Sequence, residues 1–135
     1  ISLILLDVDD FKRINDKYGH VIGDKVLKEL VKVLEENSRS TDILARWGGD
    51  EFAIILPGTN MQGAYRLAER LRKAIQAHDF YSECITISIG IASINEKIDI
   101  DQFVVMADKA LYRAKEKKNV VVVTNTSTLH VQAPN

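Results

Sequence analysis

The sequence is short of several residue types and patterns, and each shortage excludes a class of protein. Cys84 is the one cysteine among 135 residues, so the chain cannot form an internal disulfide, and we expect a reducing compartment. No apolar run approaches the roughly eighteen residues that a membrane-spanning helix requires. The formal net charge is −1, whereas a general binder of nucleic acid or of anionic membranes carries a basic excess. We therefore expect this domain to contact neither nucleic acid nor a membrane.

The residues that are present suit one globular domain. Apolar residues make up 46% of the chain and charged residues 27%, which is ordinary for a folded protein. The polar, aperiodic stretch 124–135 is predicted to be a frayed tail, which leaves 1–123 as the domain. Because Ile1 enters a strand pattern with no lead-in, we expect the domain to belong to a longer protein. Cys84 lies in an apolar strand pattern and is expected to be buried.

Apolar periodicity predicts an alternation of strands and helices. Continuous or alternating apolar residues indicate strands at 3–8, 43–47, 52–56, 85–92 and 120–123. Helical spacing of apolar residues indicates helices at 11–18, 24–37, 61–75 and 101–117. The resulting order, βααββαβαβ, is typical of a single α/β (α+β) domain in which helices pack on a mixed central sheet.

Two predicted strand ends carry carboxylates. Gly48 and Gly49 permit a tight turn and Asp50 follows them, so a hairpin with acids at its tip is predicted. Asp7 ends the buried first strand. If the two strands are neighbours, these carboxylates converge. Together with the Val8 carbonyl they suit Mg²⁺, which prefers oxygen ligands and shares them with substrate phosphates. The alternative is a surface turn with solvated acids.

Four sequence motifs occur in an order that is typical of a known family. They read DVDDFKRINDKYGH at 7–20 with Gly23-Asp24 after it, GGDEF at 48–52, SIGIA at 88–92 and ADKALYRAK at 107–115. On these motifs the chain resembles the GGDEF domains of diguanylate cyclases from residue 1 to about residue 123. The resemblance implies a ferredoxin-like core similar to the palms of nucleotidyl cyclases and polymerases. It also implies that a homodimer with one GTP in each domain forms cyclic di-GMP from two GTP and releases two pyrophosphates.

The resemblance assigns roles to the residues around the acids. The implied ligands of Mg²⁺ or Mn²⁺ are Asp7, the Val8 carbonyl and Asp50. Gly48 and Gly49 would contact the phosphates closely. The base that removes the proton of the 3′-hydroxyl would be Asp50 or Glu51. We favour Asp50, because proton removal can belong to the metal–carboxylate unit.

Guanine recognition needs a different set of groups. A carboxylate can accept hydrogen bonds from both N1–H and N2–H of guanine, and an amide can donate as well as accept. In the family pattern this pair falls on Asn15 and Asp24, with His20 nearby. From the residues alone, Asn15 is better explained as a turn residue and Asp24 as the start of a helix.

Two lysines are candidates for phosphate contact. Lys12 lies one turn into the helix after the first strand, and Lys115 matches a phosphate-binding position of the family. After Lys115 the chain departs from the family pattern, because 116–119 lacks the usual glycine and is one residue shorter. Lys118 is a candidate for the second basic residue of that pattern. A basic last turn that complements the helix dipole would also explain these lysines.

The segment Arg39-Ser40-Thr41-Asp42 matches the inhibitory RxxD site at which the family binds cyclic di-GMP. An arginine can form paired hydrogen bonds to phosphate or to guanine O6 and N7, and an aspartate can accept from guanine. Arg66 and Arg70, one helical turn apart, fall where arginines of a second domain hold the bound dinucleotide. Without the resemblance, Arg39 and Asp42 would be a surface ion pair.

Three functions fit the sequence. The first is a diguanylate cyclase with product feedback at the RxxD site. The second is a catalytically silent module that senses cyclic di-GMP or GTP, but such modules normally carry a damaged signature, and GGDEF is intact here. The third is another nucleotidyl cyclase or a purely structural partner domain. For the first function we expect a cytoplasmic location and an attached N-terminal sensory or regulatory module.

Overall fold

The computed structural model describes residues 1–125 and 131–132. Its strands are β1 (Ser2–Val8), β2 (Ile43–Arg46), β3 (Glu51–Leu56), β4 (Ile87–Ser93), β5 (Val121–Asn125) and β6 (Val131–Gln132). Its helices are α1 (Phe11–Tyr18), α2 (His20–Glu36), α3 (Met61–Ala77) and α4 (Ile100–Lys117). The predicted order is confirmed, and β6 follows it. Each described helix is too short or too polar to cross a membrane.

The strands form one mixed sheet in the order β2-β3-β1-β4-β5-β6. β1 pairs antiparallel with β3 and with β4, and β2 pairs antiparallel with β3. The order β2-β3-β1-β4, with helices after β1 and after β3, is that of a ferredoxin-like fold. β5 lies parallel to β4 and makes the sheet mixed. The predicted fold class is confirmed.

Helices cover both faces of the sheet. Leu6 and Val8 of β1 belong to the core cluster that contains the apolar faces of α1, α2 and α3. Leu3 and Leu5 belong to a second cluster, which contains the apolar face of α4. All of β1 is therefore buried, as its continuous apolar run predicts. Asp7 lies on the same face as Leu5, because side chains alternate along a strand, and this is the face that α4 covers.

Helix α4 packs directly on the backbone of β4 at Gly90. A Cβ atom at this position would lie 2.1 Å from the backbone nitrogen of Leu111 and 2.6 Å from the carbonyl oxygen of Ala107. A side chain therefore does not fit, and glycine permits the close approach. The approach carries the last turn of α4 to the end of β1, where Lys115 contacts Asp7.

Helix α2 begins earlier than predicted. It starts at His20 rather than at residue 24, so Asp24 lies inside the helix, and its interpretation as a helix start is wrong. The cause is Gly19, whose φ of 86° ends α1 and starts α2 within a single residue. Glycine adopts this conformation without strain.

Cys84 is exposed, so its predicted burial is wrong. Strand β4 begins at Ile87 rather than at residue 85. Phe80 pairs with Glu83 in an isolated bridge before β4. Phe80 and Ile85 are the residues of this segment that enter the core. The apolar pattern around Cys84 thus belongs to a turn with two buried anchors, not to a strand.

The predicted tail, 124–135, lies mostly outside the described residues. Strand β5 extends to Asn125, past its predicted end at residue 123, and Val131–Gln132 pairs with it. Residues 126–130 and 133–135 are not described. The frayed tail therefore stays a prediction.

Candidate active site

The glycine turn between β2 and β3 is closed by its own backbone and held by an arginine. The backbone N–H groups of Trp47 and Gly48 donate to the carbonyl of Glu51, at 2.8 and 3.2 Å. The guanidinium of Arg46 donates to the carbonyls of Gly48 and Gly49, with Nε distances of 3.2 and 3.1 Å. With both carbonyls engaged, the turn is held in one conformation. Arg46 ends β2, and its contact with the turn is not predicted from the sequence.

The turn is attached to the end of β1. Asp7 lies opposite Glu51 in the β1–β3 register, and the backbone N–H of Val8 donates to the carbonyl of Asp50 at 3.1 Å. The predicted convergence of Asp7 and Asp50 is therefore what the structure shows. We refer to Asp7, Asp50 and Glu51 as the acidic edge.

Asp7 is a buried carboxylate, and only one of its two oxygens has a partner among the described residues. Its side chain is 8% exposed, and its Oδ2 lies 2.6 Å from the Nζ of Lys115. Its Oδ1 is buried and has no hydrogen-bond partner among the described residues. The pKa of Asp7 is raised to about 6, chiefly because the group is buried; Lys115 lowers the pKa, and Asp50 raises it. A cation bound at Oδ1 would reduce the free-energy cost of burying this carboxylate.

The donor groups of the acidic edge fit a metal ion that is shared with a nucleotide. In the part of the chain that the structure describes, no three acidic, histidine or cysteine side chains group together as a complete metal cage. Mg²⁺ commonly takes only one or two carboxylates and fills its octahedron with water and phosphate oxygens. The orphaned Oδ1 of Asp7, the Asp50 carboxylate and the Val8 carbonyl form a set of this kind.

The next two aspartates, Asp9 and Asp10, contact residues near the start of β4 and the end of α4. Asp9 accepts hydrogen bonds from the Thr86 and Ser88 hydroxyls, at 2.7 and 2.6 Å, and from the backbone N–H of Asn119 at 2.9 Å. It thereby ties the turn after α4 to the ends of β1 and β4. Asp10 is exposed and forms an ion pair of 2.7 Å with Lys118. Lys118, the candidate second basic residue, thus has an acidic partner of its own.

The predicted guanine-binding residues lie on α1 and α2. Gly23 makes room for Asn15, because a Cβ at Gly23 would lie 1.9 Å from the Oδ1 of Asn15. Asp24 is exposed and lines an open groove of about 900 Å³ between α2 and the β2–β3 hairpin. His20 and Lys12 are exposed on the first turns of α2 and α1.

The RxxD segment lies at the other end of this groove. Arg39 and Asp42 both line it. The Arg39 guanidinium lies 3.3 Å from Oδ1 of Asp42, the Arg39 backbone N–H donates to Oδ2 at 2.9 Å, and the guanidinium also donates to the Thr59 hydroxyl. Arg70 donates to the carbonyl of Asn37 at 2.7 Å. We refer to residues 37–42 as the RxxD loop.

The structure therefore brings the predicted residues together in two places. Lys115 joins the acidic edge, and Arg70 joins the RxxD loop. Arg66 is exposed on α3, one turn before Arg70. The hydrogen bond from Arg39 to the Thr59 hydroxyl is not predicted from the sequence either. The two residues are 20 positions apart, and a local sequence pattern does not connect them.

Comparison with known proteins agrees with this geometry. The family model "Diguanylate cyclase, GGDEF domain" matches residues 1–120. The chain is 40% identical to Diguanylate cyclase A of Treponema denticola, over 86% of the chain and 33% of that protein. It is 44% identical to Diguanylate cyclase DgcS of Shewanella oneidensis, over 85% of the chain and 39% of that protein. The chain thus spans well under half the length of these curated relatives.

Solved structures show the same fold. The active GGEEF domain of a diguanylate cyclase from Vibrio cholerae is 35% identical, with a TM-score of 0.87 over 93% of this chain and 83% of that chain. The GGDEF domain of DgcB from Caulobacter crescentus, solved in complex with c-di-GMP, is 30% identical. Its TM-score is 0.84 over 90% of this chain and 76% of that chain.

Proposed function

The chain belongs to the GGDEF domain family, and from this premise we propose that residues 1–123 are the catalytic domain of a diguanylate cyclase. The reaction would condense two GTP into cyclic di-GMP and release two pyrophosphates. The observation that carries the proposal is the contact between an intact glycine turn and the end of β1. This contact brings Asp50 next to Asp7, whose buried Oδ1 has no hydrogen-bond partner among the described residues.

Asp7, Asp50 and the Val8 carbonyl would hold Mg²⁺ or Mn²⁺ together with the triphosphate. When bound, the ion would neutralise charge on the phosphates and lower the pKa of the attacking hydroxyl. Gly48 and Gly49 let the turn approach the phosphates without side-chain interference.

The chemistry requires two domains that face each other. The 3′-oxygen of one GTP forms a bond to the α-phosphorus of the partner's GTP, the bond from that phosphorus to pyrophosphate breaks, and Asp50 or Glu51 accepts the hydroxyl proton. The same step on the second GTP closes the ring. A homodimer is therefore part of the proposal, and activity should rise with protein concentration where dimerisation is weak.

Substrate selection would come from α1 and α2. Asn15 and Asp24 would read the guanine edge, with His20 beside them, because an amide and a carboxylate complement its donors and acceptor. Lys12 and Lys115 would contact phosphates. Support for this arrangement is the packing of Asn15 against Gly23 and the exposure of Asp24 in the groove.

Feedback by the product would use the RxxD loop. Arg39 and Asp42 would bind cyclic di-GMP on one domain, and Arg66 and Arg70 would contribute from α3 of another. Within one domain Arg70 contacts the RxxD loop, so in the proposed complex α3 of each domain would border the surface on which the other domain docks. The complex of DgcB with c-di-GMP shows that a related GGDEF domain binds this dinucleotide.

The setting of the domain is part of the same proposal. Since the chain spans 33% and 39% of two curated relatives, we expect sensory or regulatory modules in the whole protein. GTP is a cytoplasmic substrate, so the domain would work on the cytoplasmic side.

A product assay tests the function. The protein is incubated with GTP and Mg²⁺ over a range of protein concentrations, and the nucleotides are separated and identified by mass. Cyclic di-GMP with two pyrophosphates per molecule is the expected result. If GTP or cyclic di-GMP binds and no turnover occurs at concentrations where dimers are demonstrated, the silent sensor is the correct alternative.

A further inference from the structure

We propose that Lys115 is an exchangeable counter-ion of Asp7, whose ammonium group takes the position of a cation beside the carboxylate until a metal displaces it toward the nucleotide phosphates. The inference rests on the proposed function, because it takes Asp7 as a metal ligand. It adds a role for Lys115 that a phosphate-binding lysine need not have: competition with the metal.

The first support is the asymmetry of the contact. Nζ of Lys115 lies 2.6 Å from Oδ2 of Asp7, yet the Asp7 side chain is 8% exposed and the Lys115 side chain 49%. The lysine reaches from the surface to a carboxylate that is fixed in the sheet. Such a long stem can leave the contact by rotating, without any movement of the backbone.

The second support is that the ammonium leaves the carboxylate incompletely satisfied. Only Oδ2 is engaged, and Oδ1 is buried with no partner among the described residues. A lysine is a compact, single charge, whereas a divalent ion carries twice the charge and can engage further oxygens of the site. A metal ion can therefore replace the lysine with a gain in electrostatic stabilisation.

The third support is the charge around Lys115. Asp7, which Lys115 contacts, lies opposite Glu51 in the β1–β3 register and next to Asp50, whose carbonyl accepts a hydrogen bond from Val8. The ammonium therefore lies in the negative potential of the whole acidic edge, where a metal ion would also be most strongly attracted. Two cations at one carboxylate repel each other, so a metal ion and the ammonium of Lys115 compete for Asp7.

The fourth support is that the helix end around Lys115 is anchored independently. Gly90 allows α4 to pack closely against β4. In the turn that follows the helix, the backbone N–H of Asn119 donates to the Asp9 carboxylate. Loss of the ion pair with Asp7 therefore frees the side chain alone. The released ammonium remains within reach of phosphates that are bound at the same edge, which couples metal binding to nucleotide binding.

The proposal predicts opposite effects of one substitution on two ligands. Lys115→Gln removes the competing charge, so Mn²⁺ should bind without nucleotide about tenfold more tightly than to wild type. A non-hydrolysable GTP analogue in the presence of Mn²⁺ should bind more weakly to the same variant. A lysine that only binds phosphate would weaken the nucleotide and leave the affinity for Mn²⁺ alone unchanged.

The experiment measures free Mn²⁺ by electron paramagnetic resonance during titration of the full chain, with and without the analogue. Lys117→Gln is the matched control, because it removes the same charge from an exposed lysine in the last turn of the same helix. We expect Lys117→Gln to bind Mn²⁺ within about twofold of wild type. If Lys115→Gln binds Mn²⁺ no more tightly than Lys117→Gln, or if neither binding is measurable, the exchange is overturned.

A second variant covers the case in which Lys115→Gln does not fold. Lys115→Arg retains the charge and offers paired donors that can engage both oxygens of Asp7, so it should weaken the binding of Mn²⁺ alone. Unchanged affinity in Lys115→Arg would also contradict the exchange. Asp7→Asn separates the two proposals: if it binds Mn²⁺ and the analogue as wild type does, the proposed metal site itself is wrong.

Discussion

The acidic edge and the RxxD loop are both charged regions that open onto solvent, but their side chains are satisfied to different degrees. At the acidic edge, Asp7 is buried, has one partner and keeps an orphaned oxygen. In the RxxD loop, the Asp42 carboxylate is 1% exposed, and both of its oxygens accept hydrogen bonds from Arg39. The guanidinium of Arg39 has a further acceptor at Thr59.

A ligand displaces an existing partner in both regions, but at the acidic edge it also engages an oxygen that has no partner among the described residues. A buried carboxylate without full hydrogen bonding destabilises the protein, so a cation at Asp7 adds stabilisation. A ligand at Arg39 has to replace contacts that already exist, and the net gain is the difference between old and new partners. We therefore expect substitutions at the acidic edge to have larger effects than substitutions in the RxxD loop.

The largest effect is expected from Asp50→Asn. Loss of one carboxylate from the acidic edge should lower kcat by about a thousandfold, as loss of a group that stabilises transition-state charge does. Glu96→Gln, which removes the same charge in an exposed loop, should leave turnover near wild type. Steady-state assays and thermal melts would show the loss without unfolding. Near-normal turnover of Asp50→Asn would remove Asp50 from the site, whereas retained cyclic di-GMP binding would confirm that the two regions are separate.

A smaller effect is expected for base selection. GTP should bind about a hundredfold more tightly than ATP, because adenine cannot satisfy Asp24 and Asn15, and hydrogen bonds to a charged group contribute about 1.5–3 kcal/mol. The exposure of Asp24 keeps the preference below that of a fully buried carboxylate. Competition between matched GTP and ATP analogues measures it, and Asp24→Asn should reduce it. Equal affinities in wild type would exclude guanine reading by this pair.

The third effect concerns the RxxD loop. Arg39→Ala should weaken cyclic di-GMP binding about thirtyfold, the equivalent of one charge-assisted interaction, and leave GTP affinity nearly unchanged. Arg13→Ala is a close control, because Arg13 is also ion-paired and its side chain is 53% exposed against 52% for Arg39. Calorimetry of the product on the three proteins decides the matter. Equal product affinities would exclude Arg39 from the product site and leave it a structural partner of Asp42.

The smallest expected effect is a pH dependence of the free energy of unfolding, which reports the cost of burying the Asp7 carboxylate. Its pKa is raised from 3.8 to about 6, so the folded state favours the protonated carboxyl. This contribution to stability is present below about pH 4 and is lost as the pH rises through about 6. Without metal, the free energy of unfolding of wild type should therefore fall relative to Asp7→Asn between these pH values, by about 1 kcal/mol or more.

Urea titrations of both proteins at pH 4, 5, 6 and 7, with a chelator present, would measure this difference. A wild type that gains stability relative to Asp7→Asn as the pH rises would show that Lys115 outweighs burial. With Mn²⁺ in place of the chelator, the trend should reverse for wild type and not for Asp7→Asn, because binding to the folded state adds stability.

Local patterns in the sequence were sufficient to predict most helices and strands and the hairpin at Gly48 and Gly49. The apolar run of β1 predicted a strand covered on both faces, and the adjacent glycines before Asp50 predicted the hairpin. These features depend on neighbours along the chain. The start of α2 was misjudged because Gly19 reverses the chain in one residue, and Cys84 because a turn with two apolar anchors resembles a short strand.

The residue types at the strand ends, and with them the chemistry that the domain can offer, are evident from the chain alone. The contacts of Lys115 with Asp7 and of Arg70 with the RxxD loop are not. They join residues far apart in the chain and depend on how the helices pack, as α4 does on β4 at Gly90. Side-chain spacing along one element records which face a residue occupies, but not which distant element covers that face.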